Sequence, residues 1–256
     1  MYKSALNLMA IIAMSIPSII SIVPPAQALP EAQVLQKLQE IPVFTITNGK
    51  GGIFKENVGT GDKAKVFTRV FISIKDAQTF LQSFRKSKFK EAKLAQITPI
   101  PLSAIYKLQL TAKEKKENMS FVFFPTEPQL KNALAILKKP YQPNAVYPVP
   151  LFMVAIEQKG QYVTIQRNKL TPLFFEKEDA QRWLDTVKKQ DPKLVAKAEI
   201  KVNYLQNILE DLHSRNYPGQ EQLVLVPSRE NQDIVRQIQA NQNKTTKPPA
   251  STAPKK

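Results

Sequence analysis

The chain of 256 residues contains no cysteine and only one histidine, His213. The absence of cysteine excludes disulfides, thiolate metal sites and cysteine nucleophiles. Histidine provides most metal ligands and most general acid–base groups, so a single copy argues against chemistry of these kinds. The sequence therefore predicts a protein that is not an enzyme and that carries no metal and no cofactor.

Glycine is also scarce, and five of the seven copies fall within "NGKGGIFKENVGTG", residues 48–61. This stretch has no Gly-Lys-Ser/Thr ending, and it does not give Gly-x-Gly-x-x-Gly before a helix, so neither type of phosphate-binding loop fits. Because glycine favours tight turns, the stretch predicts the tip of a hairpin.

Two patterns resemble catalytic groups but have simpler interpretations. His213 lies close to Asp211 and Ser214 in the sequence, yet catalytic triads are assembled in space and not from adjacent residues. A histidine near the end of a helix is favoured by the helix dipole. The carboxylate pair Glu178–Asp179 is typical of a solvated helix face with local ion pairs.

The N-terminus predicts export from the cytoplasm. Lys3 is followed by the uncharged run "SALNLMAIIAMSIPSIISIV" and then by "PPAQALP", in which Ala26 and Ala28 form a small-x-small pattern. Residues 1–28 are therefore predicted to be a signal peptide that is cleaved after Ala28. An uncleaved membrane anchor is the alternative, since the run is near spanning length. No later segment is apolar enough to cross a bilayer.

The formal charge is +16, and it comes from thirty lysines and seven arginines against 21 acidic residues. Base readout and bidentate phosphate contacts favour arginine, so the composition predicts no nucleic-acid partner. The charge instead indicates weak attraction to anionic surfaces or acidic partners. The polar, proline-bearing residues 240–256 are predicted to be a disordered basic tail.

A proline-rich linker, residues 140–148, divides the rest into two comparable parts, residues 29–139 and residues 149–239. "DAQTFLQSF" at Asp76 corresponds to "DAQRWLDTV" at Asp179, an offset of 103 residues. "FVFFPT" corresponds to "VLVPS", with Pro125 and Pro227 offset by 102. Because these offsets hold over most of each part, the sequence predicts an internal duplication.

Both copies predict the same order of elements, β-β-α-β-α-β-α. Runs rich in β-branched and aromatic residues indicate the strands, and "AKVFTRVFIS" and "QYVTIQRNKLTPLFF" are each expected to form the strand after the first turn of a copy. Apolar residues at i, i+3, i+4 and i+7 indicate the first helix of each copy. Ser73 is expected to cap that helix in the first copy, and Thr126 and Ser228 are expected to cap the third helices. The predicted fold class is α/β (α+β), with two pseudo-symmetric repeats.

Several of these segments together resemble one known family. The stretches "LPEAQVLQKLQEIPVFTITN", "VFISIKDAQTFLQSF", "FVFFPTEPQLKNALAIL", "VPLFMV" and "PLFFEKEDAQRWLD" are similar to those of the Tic22 family, which comprises components of preprotein import at the inner chloroplast envelope and their bacterial relatives. The resemblance covers roughly residues 29–239. Its motifs are diffuse and include no catalytic signature.

The resemblance implies a noncatalytic, chaperone-like factor in protein transport or outer-membrane biogenesis that holds or escorts unfolded clients. Its implied partners are unfolded or outer-membrane proteins and translocon or outer-membrane assembly proteins, with peripheral contact to a membrane surface. The signal is of bacterial type and not a Ser- and Arg-rich transit peptide. Together these features predict the periplasm or an envelope intermembrane space, with the thylakoid lumen as a further compartment.

The second helix of each repeat is short and apolar on one side, so it is a candidate lining for a client groove. The residues chosen on this ground are Leu102, Ile105, Tyr106, Tyr204, Leu205 and Leu209. The alternative interpretation is that they are ordinary core residues. Two other functions stay open: an adaptor that binds membrane assemblies through lysine-rich faces, and an exported hydrolase that uses His213.

Overall fold

The structure is a computed structural model that describes residues 29–58, 65–143, 145–158, 161–193, 196–214, 219–234 and 236–237. The predicted signal peptide and the predicted basic tail lie outside the described residues. Elements of the first half, in chain order, are α1 (Glu31–Leu38), β1 (Pro42–Thr47), β2 (Glu56–Val58), β3 (Lys65–Phe71), α2 (Ile74–Arg85), a 3₁₀ helix (Lys90–Leu94), β4 (Gln96–Pro101), α3 (Leu102–Glu114), β5 (Met119–Phe124) and α4 (Glu127–Ile136).

Elements of the second half are β6 (Pro150–Gln158), β7 (Gln161–Thr164), β8 (Thr171–Phe174), α5 (Lys177–Gln190), β9 (Glu199–Tyr204), α6 (Leu205–Ser214), a 3₁₀ helix (Gln220–Gln222) and β10 (Leu223–Val226). Residues 229–234 are again helical. The mixed α/β fold class is thereby confirmed.

The two halves form two separate sheets with one shared strand order. In the first sheet β1 lies between β4 and β3, and β5 lies beyond β3; both pairs made by β1 are antiparallel, and β3 and β5 are parallel. In the second sheet β6, β9, β8 and β10 occupy the same places with the same directions. The shared order agrees with the sequence offsets, while the duplication itself stays a prediction.

The stretch "QYVTIQRNKLTPLFF", expected to be one continuous strand, is divided into β7 and β8. Arg167 and Leu170 form an isolated antiparallel bridge, and Asn168 and Lys169 between them both have positive φ, 53° and 60°. Two central residues with positive φ are typical of a tight type I′ hairpin turn. The prediction of a single strand was wrong because these two residues reverse the chain.

Helix α1 was not assigned from the residue pattern, and it joins the halves. Its buried Val34 and Leu38 lie in one hydrophobic core together with α3, α6 and strands of both sheets. Lys37 of α1 donates to the carbonyl oxygens of Glu221, at 2.5 Å, and Leu223, at 3.0 Å. Two amphipathic sheets therefore bury their inner faces against the same set of helices.

The outer face of each sheet is covered partly by a helix from the opposite half. Ala133 and Ile136 of α4 pack with Phe152 and Phe174 of the second sheet. In return, Ile234 packs with the core formed by the first sheet and α2. The last helical segment of each half thus packs on the other half, an exchange that the prediction of two pseudo-symmetric repeats did not include.

Candidate functional site: the inter-half cleft

A solvent-open cavity of about 500 Å³ lies where the two halves meet, and we call it the inter-half cleft. The first turns of α2, α4, α5 and the helical segment at residues 229–234 all border it. The lining residues used below are Ile72, Asp76, Pro125, Pro128, Gln129, Val149, Phe175, Glu176, Glu178 and Glu230. The two motifs that suggested the duplication, "DAQ" and the proline-led helix start, therefore both lie beside this cleft.

The floor of the cleft is apolar and belongs to both halves. Ile72 and Phe175 follow equivalent strands, β3 and β8, and they are only 6% and 5% exposed. Val149, which directly follows the proline-rich linker, lies beside them and is 2% exposed. These side chains present a fixed apolar surface because the shared core holds them from behind.

Helix capping aligns the first turns that border the cleft. Ser73 accepts a hydrogen bond from the backbone N–H of Lys75 at 3.1 Å, and Ser228 accepts one from Asn231 N–H at 3.2 Å. Both predicted serine caps are confirmed. Thr126 is the N-cap residue of α4, as predicted, but its side chain makes no capping hydrogen bond.

One wall of the cleft is held by bonds between α4 and α5. The Gln129 amide donates to Glu178 Oε2 at 2.7 Å, and its oxygen accepts from Lys177 N–H at 3.0 Å. Asn132 donates to Glu178 Oε1 at 3.1 Å. Glu178 is exposed, as expected for a helix-surface acid, but both of its carboxylate oxygens accept bonds from amides of the other half.

At the opposite wall, the last helical segment of the second half makes similar bonds to the first half. Asn231, which the 102-residue offset pairs with Gln129, donates from its side chain to the carbonyl oxygen of Ile72 at 2.6 Å. Lys75 forms an ion pair with Glu230 at 3.2 Å. Both halves therefore contribute amide and charged side chains that bind the other half.

The carboxylates around the cleft have unequal environments. Burial, with Glu127 and Glu230 nearby, raises the pKa of Asp76, and its Oδ2 atom has no hydrogen-bond partner among the described residues. Burial, followed by Asp179 and Glu178, raises the pKa of Glu176. Burial also acts against ionisation of Glu178, but the bonds from Gln129 and Asn132 outweigh it and lower the pKa of that carboxyl.

This geometry suits binding more than bond breaking. The cleft combines an apolar floor with a polar rim, which is the usual composition of a site that recognises a ligand by shape and a few hydrogen bonds. Among the described residues, no group of three or more histidine, cysteine, aspartate or glutamate side chains is placed to hold a metal ion.

The structure buries five of the six residues proposed from the sequence as client contacts. Leu102, Ile105 and Leu205 are 0% exposed, and Tyr106 and Leu209 are 4% and 7% exposed. Tyr204 is half-buried at the end of β9. The five belong to the shared core, which favours the core interpretation. Client contact at these positions would require that core to open, and it stays a prediction.

His213 lies exposed in the last turn of α6, as the helix-end interpretation expected. Its ring is 6.4 Å from that of Tyr106, in an edge-to-face arrangement. His213 does not line the inter-half cleft.

Sequence reasoning did not single out Gln129 or Asn231, which join the halves. Their signal was present, because they occupy the same offset position, three residues after the expected cap of the third helix. That position becomes informative only once the helix exchange is known.

Within the described residues, no helix is long and apolar enough to cross a membrane. The fold is shared with solved structures: "Anabaena Tic22 (protein transport)" is 30% identical, with a TM-score of 0.67, 86% of this chain and 100% of that chain covered. "Tic22 from Plasmodium falciparum" has a TM-score of 0.57 at 22% identity and supports the fold alone, over 81% of this chain and 98% of that one.

Curated proteins of similar sequence are also Tic22 proteins. "Protein TIC 22, chloroplastic" from Pisum sativum is 27% identical over 204 residues, 79% of this chain and 75% of the relative. The protein of that name from Arabidopsis thaliana is 27% identical over 220 residues, 83% of this chain and 76% of the relative. The sequence model of the Tic22-like family matches residues 8–239. The chain therefore belongs to the Tic22-like family.

Proposed function

We propose that this protein is a noncatalytic protein-transport factor that holds short, extended stretches of client polypeptide in the inter-half cleft. Its site of action is outside the cytoplasm, in the periplasm or an equivalent intermembrane space. Its clients are unfolded proteins bound for an outer membrane, and its partners are the assemblies that receive them.

Two relationships support the general role. The Anabaena relative is described as a protein of protein transport, and the relatives from Pisum sativum and Arabidopsis thaliana are described as chloroplastic. The N-terminal residues 1–28 have the pattern of an export signal. From membership of the same family, we infer the same general role for this chain.

The inter-half cleft is the observation that carries the holding mechanism. Its volume of about 500 Å³ is in the range of pockets that bind small ligands, and a few residues of an extended peptide are of that size. Ile72, Val149 and Phe175 form an apolar floor with little exposed area, and Pro125 and Pro128 add more accessible apolar surface to the cleft. Such a lining binds exposed apolar side chains of any unfolded chain, because the hydrophobic effect is not directional.

The polar rim explains how a client can be released. Pro128 and Glu178 at the rim are exposed, and the cleft is open to solvent. A client segment therefore leaves without any rearrangement of the shared core. Weak, reversible holding is what transfer to a receiving assembly requires.

A cleft-filling variant tests this function. Pro128→Trp places a large ring at the rim, at an exposed position where the helix has already begun. We expect the wild-type protein to suppress light scattering by an unfolded outer-membrane protein and the variant to suppress it much less. Leu108→Trp on α3, where leucine is 39% exposed and outside the cleft, is the matched control and should act like the wild type.

Two outcomes contradict the proposal. If the wild-type protein at excess leaves client aggregation unchanged, holding is not its function. If holding is real but Pro128→Trp has no effect while circular dichroism shows both variants folded, the cleft is not the site.

A further inference from the structure

The segment that follows α2 combines positive charge with exposed apolar side chains. Residues 85–94, "RKSKFKEAKL", carry five basic residues and one glutamate. Phe89 and Leu94 are 64% and 70% exposed, among the largest exposures of big apolar side chains in the described protein. We call these ten residues the basic–apolar segment.

The fold holds this segment firmly in place. Ala92 within it and Ala95 just after it are buried, at 0% and 1% exposure. The Arg85 guanidinium donates to the Ala95 carbonyl oxygen at 2.7 Å, and Ala92 N–H donates to the Phe89 carbonyl oxygen at 3.2 Å. The two exposed apolar side chains therefore project from an anchored turn, and their exposure follows from the fold.

Neighbouring elements extend the basic surface around the apolar side chains. A methyl group placed on Gly49 would lie 3.3 Å from Leu94 Cβ, so the hairpin loop of the first sheet packs directly against Leu94. The next residue of that loop, Lys50, is exposed. Among the described residues, no carboxylate lies within ion-pair distance of Lys86, Lys88, Lys90 or Lys93.

We propose that the basic–apolar segment docks on a bilayer of anionic lipids, with Phe89 and Leu94 entering the interfacial region and the lysines facing the headgroups. Basic residues near a membrane are attracted to anionic lipids, and apolar side chains among them add burial energy at the headgroup boundary. The charge is complementary, because these lysines have no carboxylate partner in the described protein.

The shape of the segment favours a bilayer over a protein partner. Phe89 and Leu94 protrude from a turn, and protein interfaces bury such anchors in pockets of matching shape. A lipid surface deforms around separate protruding side chains and needs no matching pocket. A lysine beside an inserted side chain also extends its apolar stem and keeps its charge at the headgroups.

Phe89 and Leu94 have no apolar counterparts at the equivalent positions of the second half. The 103-residue offset places Pro192 and Lys197 at the positions of Phe89 and Leu94, so neither apolar side chain recurs at its equivalent position. The basic–apolar segment begins at the C-terminal end of α2, whereas the inter-half cleft borders its N-terminal turn. Twelve helical residues span roughly 18 Å, so docking at one end leaves the cleft at the other end open.

Vesicle flotation tests this inference independently of client holding. The full chain is mixed with vesicles of phosphatidylcholine alone or of phosphatidylcholine with 30% phosphatidylglycerol, a composition used as an order-of-magnitude match to anionic bilayers, about one charged lipid in three. We expect binding to the anionic vesicles only. The double variant Phe89→Ser, Leu94→Ser should weaken that binding at least about tenfold, which follows from losing two buried apolar side chains.

A matched control separates this effect from general loss of exposed apolar surface. Tyr162→Ser removes an aromatic side chain that is 53% exposed on β7 of the second half, and it should bind anionic vesicles like the wild type. A direct readout comes from Phe89→Trp in a Trp183→Phe background, because Trp183 is the only tryptophan. The new tryptophan's emission should shift to the blue on anionic vesicles only.

Several results would overturn the inference. Equal binding to neutral and anionic vesicles, or unchanged binding by the double variant, would remove it. So would elimination of vesicle binding by millimolar inorganic phosphate at constant ionic strength, since the segment would then be a site for free phosphate. If Phe89 and Leu94 affect suppression of client aggregation and leave vesicle binding unchanged, the surface belongs to a protein partner.

Discussion

The side-chain amide of Asn231 donates a hydrogen bond of 2.6 Å to the backbone carbonyl oxygen of Ile72, across 159 residues of chain. Both residues are buried, at 2% and 6% exposure. The bond joins the last helical segment of the second half to the end of β3 in the first half. It stands at one wall of the inter-half cleft and keeps the exchanged helix in place.

Replacing Asn231 should therefore destabilise the whole protein. Asn231→Ala leaves a buried carbonyl oxygen without its donor, which typically costs about 1–3 kcal/mol. Gln129→Ala at the equivalent position of the other half removes bonds that are partly solvated, so it should cost less. Urea unfolding of both variants measures the difference, and equal midpoints would contradict the assigned role of the buried bond.

The raised pKa of Asp76 predicts how stability changes with pH. Its carboxyl binds a proton more tightly in the folded protein than in the unfolded chain, so its contribution is largest at low pH and is lost as pH rises through the folded-state pKa. Asp76→Asn removes this loss. The variant should have a higher urea midpoint than the wild type at pH 7, and the gap should shrink toward pH 4.

Asp179→Asn is the natural control, because the 103-residue offset pairs Asp179 with Asp76, but Asp179 forms an ion pair with Arg182. The Asp179 side chain is only 12% exposed, and Arg229 lies within 3.7 Å of it as well, so removing its charge should lower the midpoint at pH 7. A gain for Asp179→Asn equal to that of Asp76→Asn would show that the effect is not specific to the buried site.

The shared core predicts that the two halves unfold together. Leu102→Ala in the first half creates a cavity at a fully buried position and should cost about 2–5 kcal/mol. Trp183, the only tryptophan, lies in the second half, yet its fluorescence should report the same lowered midpoint as circular dichroism. An unchanged Trp183 transition would mean that the halves are independent folding units.

Arg69 should depend on its planar shape as well as on its charge. Its guanidinium lies 4.8 Å from the centre of the Phe80 ring and 5.0 Å from that of Phe124, and it bonds to Glu56 Oε2 at 2.9 Å. Arg69→Lys keeps the charge but loses stacking and the fork-shaped contact. We expect a loss of about 1 kcal/mol, measured by urea unfolding, with Lys75→Arg at an exposed ion pair as a near-neutral control.

Sequence patterns specified most of the elements because local rules govern them. The 3.6-residue spacing of Ala77, Leu81 and their equivalents placed α2 and α5 correctly, and Ser73 and Ser228 marked helix starts that the structure has. The failures were local as well. Asn168 and Lys169 turn the chain within a stretch predicted as one strand. Of these two residues, only Asn168 is of a type that favours a turn.

The candidate site was less accessible to sequence reasoning. Amphipathicity identified Leu102, Ile105 and Leu205 as apolar, but it could not say whether they face a groove or a core, since both environments select the same residues. The structure buries them against α1 and the second sheet. Residues that do border the cleft, such as Gln129 and Glu178, are polar, and in sequence they resemble ordinary helix-surface residues.

The sequence alone determined the fold class, most of the helices and strands, the matching offsets of the two halves and the resemblance to one family, because each follows from local periodicity and residue identity. Only the tertiary structure decided that α4 and the last helical segment exchange sheets, that both sheets share a core, and that a cleft opens between them. Those features depend on contacts such as Asn231 with Ile72, which join residues 159 positions apart. No local pattern encodes the partner of so distant a contact.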